Sequence, residues 1–236
     1  MHPLQQQEQE KRDREAHGYE GFFPVWRVEA ETGAVQAAIA RGARRRDRVV
    51  DLGTGTGRVL RAVAPEFEEA VGVDFSAASL RVAAERLPDD LRTKVTWRQA
   101  DATATGLEGG VADVVTCVQL LQHLPTDELR DALVAEARRI LRPGGLLVLT
   151  CYGFNVVHRL RGRRESVEGG LYVRRHSPSE LRRRLARAFE GVRVRAIVGL
   201  PDALPLPRLD RWMSHVPGWS LFGRTLLGTG RREGDA

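Results

Sequence analysis

Five short, apolar, β-branched runs recur along this chain, at 48–52, 70–74, 94–98, 112–118 and 145–151, and helical patterns fill most of the gaps, at about 57–64, 77–87 and 127–141. Several runs are apolar at nearly every position, so they need cover on both faces, which antiparallel sheets open to water do not provide. Parallel neighbours in turn require long crossovers, and helices supply them. The rhythm therefore predicts an α/β fold: a Rossmann-like, doubly wound, mostly parallel sheet with helices on both faces. The helix over 127–141 has a start signal in Thr126-Asp127-Glu128 and a stop in Arg142-Pro143-Gly144-Gly145.

The flanks break this rhythm. Residues 4–17 are polar with no apolar stripe, and predict a frayed helix or a disordered arm. Tyr19, Phe22, Phe23 and Trp26 precede a helical pattern over about 27–41; they form either a lid over a ligand or a hydrophobic staple for that helix. Residues 152–176 hold glycine and many arginines without sustained periodicity and predict an inserted loop or short helices. Ser177-Pro178-Ser179-Glu180 opens a helix running to Phe189, 192–198 alternates as a strand, and 201–220, with four prolines, is a second insertion. A last strand is expected over 221–227. The organisation is an arm at 1–18 and one domain at 19–236, with 47–151 as its core, and 236 residues are enough for that domain to bury a core without staples.

Composition removes several classes. Two cysteines, Cys117 and Cys151, make no disulfide framework and no CxxC pair, the histidines are scattered, and no metal site is expected. No stretch approaches the ~18–20 apolar residues of a membrane span, and Met1–Gln7 has no apolar run of a signal peptide, so a cytoplasmic chain is expected. The net charge is +6, and all but two of the 37 basic residues are arginine, a skew that fits a GC-rich coding bias as well as an acidic partner.

The chemistry centres on Asp51-Leu52-Gly53-Thr54-Gly55-Thr56-Gly57, a glycine turn between a strand and a helix. Open α/β sheets bind ligands at the carboxyl edge of their strands, and glycines let a ligand lie against the backbone there. A dinucleotide fingerprint needs glycine or alanine where Arg58 stands, and a P-loop needs a lysine that is absent. The turn thus suits a nucleoside ligand without phosphate. Asp74, at the end of the second strand, is placed to accept hydrogen bonds from ribose hydroxyls; Asp101, just beyond the third, is placed to meet an adenine amino group. Each acid alone is also a plausible helix cap or loop residue.

The ordered segments VVDLGTGTGRVL, VGVDFSAASL, RQADATATGL, ADVVTCVQLLQHL and LRPGGLLVLT resemble the motifs of class I S-adenosylmethionine-dependent methyltransferases, over about residues 47–151. That resemblance implies a seven-stranded sheet with the last strand antiparallel and S-adenosylmethionine across the tips of strands one to four. It implies that Asp51, Gly53, Gly55 and Gly57 frame the methionine part, Asp74 the ribose, and Asp101 and Ala102 the adenine, with Cys117 and Gln119 near the sulfonium. YVRRHSPSELRRRLARAF is similar to the late linker and helix of many members, except that Ala188 stands where relatives usually have glycine.

A sulfonium methyl is already electrophilic, so alignment of the acceptor is the main task and a base is needed only for a hydroxyl or protonated amine. His123, in Leu121-Gln122-His123-Leu124, is the first candidate base or pocket residue, with a structural histidine as the alternative; His158, His176 and Tyr172 follow. A small-molecule acceptor is expected, bound by a monomer or homodimer. The arginines of 159–175 leave RNA such as tRNA as an alternative, although they lack interleaved aromatics for base stacking. A non-catalytic, cofactor-binding regulator is the third reading.

Overall fold

The computed structural model describes residues 2–18, 24–198 and 223–234. In chain order the elements are α1 (Pro3–Glu15), α2 (Val25–Gly42), β1 (Arg48–Leu52), α3 (Arg58–Val63), β2 (Glu69–Asp74), α4 (Ala77–Glu85), β3 (Val95–Gln99), β4 (Ala112–Val118), α5 (Asp127–Ile140), β5 (Leu141–Tyr152), α6 (Val156–Leu160), β6 (Glu165–Glu168), β7 (Leu171–Arg174), α7 (Pro178–Ala186), β8 (Glu190–Val198) and β9 (Thr225–Arg231). Seven strands form one sheet in the order β3-β2-β1-β4-β5-β9-β8, and β6 and β7 form a separate hairpin. Strands β1 to β5 are parallel, and β9 lies antiparallel between β5 and β8. This is the doubly wound sheet expected, last strand reversed.

Alternation along the strands divides the core in two. On β4, Val115 and Cys117 face Leu133 and Ala137 of α5, while Val114 and Val118 face Val35 and Ile39 of α2. The two layers bury the apolar runs that set the rhythm of the sequence.

Some boundaries move. β5 starts at Leu141, ahead of the expected 145, because a register shift against β4 between Ala112 and Val114 accommodates Pro143, which has no N–H to donate. Helix α7 stops at Ala186, and β9 runs four residues past the expected end. Gly228 and Gly230 lie past the expected end of that strand, yet they belong to β9: a Cβ on Gly228 would lie 2.7 Å from Leu185, and one on Gly230 would lie 2.6 Å from Phe189. Their bareness lets α7 and its C-terminal turn lie close on the strand.

Two regions depart further. Of the loop or short helices expected at 152–176, one short helix, α6, is present, and the β6–β7 hairpin, turned by Gly169 and Gly170 with φ of +53° and +79°, is the departure. Residues 4–17, expected as a frayed helix or a disordered arm, form the helix α1, and it is docked. Its N-terminus carries Pro3 and a capping box between His2 and Gln5. Lys11–Glu15 and Arg12–Glu8 pair one turn apart. Of the aromatics expected as lid or staple, Tyr19, Phe22 and Phe23 lie outside the described residues, as does the insertion 201–220, while Trp26 packs against the core layer that holds Val35 and Ile39.

Candidate functional site

A pocket opens at the carboxyl ends of β1, β2 and β4 and is roofed by α1 and α2. The glycine turn forms its floor. Gly53 and Thr54 donate their backbone N–H groups to Val73 O at 2.8 and 2.9 Å, pinning the turn to β2. Gly53, Gly55 and Gly57 all have positive φ, from +53° to +77°. Gly55 has nothing within 4 Å of where a Cβ would stand, so its backbone faces open space. A Cβ at Gly53 would lie 2.9 Å from Leu120, so the tip of β4 abuts the turn. Gly57 is off the pocket wall and serves as the left-handed cap that starts α3.

Asp51 and Asp74 both line the pocket. Asp51 is 2% exposed and accepts the Thr116 hydroxyl at 2.6 Å. Burial raises its carboxyl to about 6, against the lowering influence of that hydroxyl. Asp74 accepts Gly55 N on Oδ2 at 2.8 Å and Ser76 N on Oδ1 at 2.9 Å. Burial raises its carboxyl too, and the two backbone bonds oppose the shift.

The other sequence candidates divide. Gln119 and His123 line the pocket. Asp101 is off its wall: Oδ1 accepts the Thr103 amide and hydroxyl at 2.8 Å, and Oδ2 accepts Gln5 Nε2 of α1 at 3.4 Å. Ala102 is also off the wall and packs against the core beside Asp101. Cys117 is a correction: its thiol is buried in the layer facing α5, away from the pocket, and burial pushes its pKa well up.

Of the candidate bases, only His123 reaches the pocket. Its Nδ1 is 2.9 Å from the carbonyl oxygen of Tyr172. A carbonyl only accepts, so Nδ1 carries the proton and Nε2 the lone pair. Burial holds the ring below the usual imidazole value, and Glu8 Oε1, 3.8 Å from Nδ1, pulls the other way. His176 is fully buried with no hydrogen bond to its ring, and burial drives it down to about 3. His158 lies off the pocket, and the Tyr172 hydroxyl accepts from Arg130 at 3.2 Å.

The structure adds wall residues that the sequence did not reveal: Glu8 and Arg12 on α1, Arg27 and Glu31 on α2, and Arg58. Arg27 lies 5.5 Å from the Tyr152 ring centre, over its face. Glu31 is 6% exposed and accepts from Arg58 Nη2 at 3.0 Å, Thr150 Oγ1 at 2.8 Å and Gln119 Nε2. Helical position alone does not mark an acid on α2 as a wall residue; Arg58, directly after the glycine turn, was the available signal. Among the described residues no group of three or more His, Cys, Asp or Glu is placed to hold a metal ion, and no helix is long and apolar enough to cross a membrane.

A doubly wound sheet with its last strand reversed, a positive-φ glycine turn after β1 and a buried acid closing β2 define the class I methyltransferase fold. Residues 49–145 match the family model described as a methyltransferase domain. Residues 49–145 are thus a methyltransferase domain by that match, and the relatives and the fold support a class I S-adenosylmethionine-dependent methyltransferase. It is 30% identical over 169 residues to a ubiquinone biosynthesis O-methyltransferase of Idiomarina loihiensis, covering 65% of this chain and 66% of that protein. To phosphoethanolamine N-methyltransferase 2 of Caenorhabditis elegans it is 34% identical over 106 residues, covering 44% of this chain and 24% of that one. The chain spans less than half the length of the first curated relatives it matches. In fold it superposes on the N-methyltransferase NodS of Bradyrhizobium japonicum, solved with S-adenosylhomocysteine, with a TM-score of 0.68 at 15% identity, covering 95% of this chain and 97% of that one.

Proposed function

We propose that this chain transfers the methyl group of S-adenosylmethionine to a small-molecule acceptor, leaving S-adenosylhomocysteine. What carries the proposal is the meeting of Asp51, Gly53, Gly55, Asp74 and His123 in one roofed pocket at the strand tips. When bound, S-adenosylmethionine supplies an electrophilic methyl; the remaining work falls to the chain. Asp74 takes the ribose hydroxyls, since each of its oxygens keeps acceptor capacity beyond one backbone amide. Gly53 and Gly55 with Asp51 frame the methionine part, while Gly57 starts the helix behind them. Asp101 and Ala102 take the adenine, and there the Gln5 amide donates to Asp101 as an adenine amino group would.

His123 accepts the proton that a hydroxyl or ammonium acceptor loses as it attacks. Its Nε2 lone pair is fixed by the Nδ1 bond to Tyr172, and burial keeps the ring neutral. The roof of α1 and α2 holds acceptor and methyl donor together and excludes water, which supplies much of the rate in such displacements. A roofed pocket suits a small molecule better than a polymer, and the curated relatives include enzymes named as O- and N-methyltransferases. Residues 19–236 act as one methyltransferase domain, with α1 as its cover.

S-adenosylhomocysteine is expected to raise the melting temperature of the wild-type chain and to leave that of Asp74→Ala unmoved. Incubation with S-adenosylmethionine and a metabolite extract is expected to yield a product one methylene heavier by mass spectrometry, and none with His123→Asn. No thermal shift in the wild type overturns the proposal. Binding without any product leaves a cofactor-binding regulator.

A further inference from the structure

Gln119 is the only non-glycine among the described residues with positive φ, at +56°. L side chains are disfavoured in that region, and such an outlier persists only where its surroundings impose it. Gln119 follows β4 directly, and the next residue, Leu120, abuts the glycine turn at Gly53. The backbone angle at Gln119 therefore sets how the tip of β4 meets the pocket.

We infer that Glu31 is a positioning residue that clamps Gln119 in this left-handed conformation. One carboxylate oxygen, Oε1, accepts from the Gln119 side-chain amide and from the Thr150 hydroxyl at 2.8 Å. Thr150 in turn holds the Gln119 backbone, whose N–H lies 3.1 Å from the Thr150 carbonyl and 3.2 Å from its hydroxyl oxygen. Glu31 thus grips Gln119 by its side chain directly and by its main chain through Thr150. The other oxygen, Oε2, accepts from Arg58 at 3.0 Å, which ties the clamp to the first residue after the glycine turn.

Gln119 has little left to offer a ligand through its side chain. Nε2 is given to Glu31, and Oε1 accepts from Gln122 Nε2 at 2.8 Å, an amide that also donates to Gln119 O at 2.9 Å and lies 3.5 Å from His123 Nε2. The contribution of Gln119 is one of backbone shape, and the chain Arg58–Glu31–Gln119–Gln122 runs from the glycine turn to the imidazole of His123. This role rests on the cofactor reading above, because it concerns the wall of the same pocket.

Isothermal titration with S-adenosylhomocysteine tests it, with melting temperatures recorded alongside. Gln119→Ala keeps the unfavourable φ and loses the clamp, and is expected to bind about tenfold more weakly. Gln119→Gly loses the same hydrogen bonds but adopts positive φ freely, and is expected to lose clearly less than Gln119→Ala. Glu31→Ala is expected to weaken binding about tenfold in the wild-type background and by much less in the Gln119→Gly background. Glu31→Gln keeps an acceptor oxygen for Gln119 and Thr150, and is expected to fall between wild type and Glu31→Ala. Should Glu31→Ala fail to fold, the Gln119 pair and Glu31→Gln decide. Equal losses for Gln119→Gly and Gln119→Ala, or a Glu31→Ala loss that is the same in both backgrounds, overturn the clamp alone; a wild-type chain that does not bind S-adenosylhomocysteine overturns the clamp and the cofactor reading together.

Discussion

Asp51 shows how the site works against the stability of its own scaffold. It lies one residue before the end of β1, almost fully buried, with a hydroxyl donor from Thr116, and burial places its pKa at about 6 against 3.8 for an ordinary aspartate. Between those values the folded chain binds the proton more tightly than the unfolded one. The favourable contribution of Asp51 is therefore fully present below about pH 3.8 and is lost as pH rises through 6, above which a buried charge persists. Asp51→Asn keeps an acceptor for Thr116 without that charge. It is expected to stabilise the chain at pH 7.5 by up to about 3 kcal/mol, with the gain shrinking toward pH 4.5. Urea unfolding at the two pH values measures this, and equal stability of variant and wild type at pH 7.5 would refute the buried charge. The same substitution is expected to weaken S-adenosylhomocysteine binding, since an acid kept at a stability cost marks function. The glycines were legible in the sequence because positive φ demands that residue type there, and Asp51 through its place in the motif that resembles the methyltransferases. Cys117 was misplaced because proximity along β4 says nothing of face: strand alternation turns its thiol toward α5 while its neighbours Thr116 and Val118 face the other way.

At the scale of elements, α1 is held in a way that hydrophobic periodicity cannot reveal. Gln5 reaches Asp101, Gln9 donates to Phe75 O at 2.9 Å, and Asp13 accepts the Ser76 hydroxyl at 2.5 Å. These partners flank Asp74, so the helix is fastened by polar bonds to the segments proposed to hold the nucleoside. The space it encloses is about 100 Å³, well under the ~300–1,000 Å³ of pockets that hold whole ligands. Displacement of α1 is the expected route of cofactor entry. A chain lacking residues 1–17 is expected to bind S-adenosylhomocysteine and release it several-fold faster than the full chain in stopped-flow measurements. Unchanged rates would mean that α1 does not stand in the path. The strands and the helices α3, α4 and α5 were legible because periodicity, caps and stops agreed along each of them. The β6–β7 hairpin was hidden by its arginines, although Gly169-Gly170 between two short runs was a hairpin signal in plain view. The docking of α1 lacked any such signal, since its partners are distant polar groups rather than an apolar stripe.

Across the whole molecule the excess of arginine changes meaning once the partners are visible. Arg164 pairs with Glu180, Arg174 with Glu165 and Glu180, and Arg175 with Glu168, so half of the arginine-rich segment braces its own hairpin and α7. Arg184 pairs with Asp127 and Asp131, and Arg142 with Asp47 and Asp113, binding α7 to α5 and β5 to the β1 approach. Within 159–175 the arginines left exposed outside these pairs are Arg159, Arg161 and Arg163. Three guanidiniums release few counterions from a phosphate backbone, at roughly 0.7–0.9 per contact in the slope of log affinity against log salt. Binding of bulk tRNA is thus expected to be weak, with a slope of about −3 or shallower. The triple variant Arg159→Gln, Arg161→Gln, Arg163→Gln is expected to flatten it further while leaving S-adenosylhomocysteine affinity intact. A slope of about −6 or steeper, accompanied by methyl incorporation into tRNA, would move the acceptor from small molecule to RNA. The small-molecule proposal holds if tRNA stays unmethylated and the triple variant binds cofactor as the wild type does, because the charge would then serve the scaffold and not the substrate.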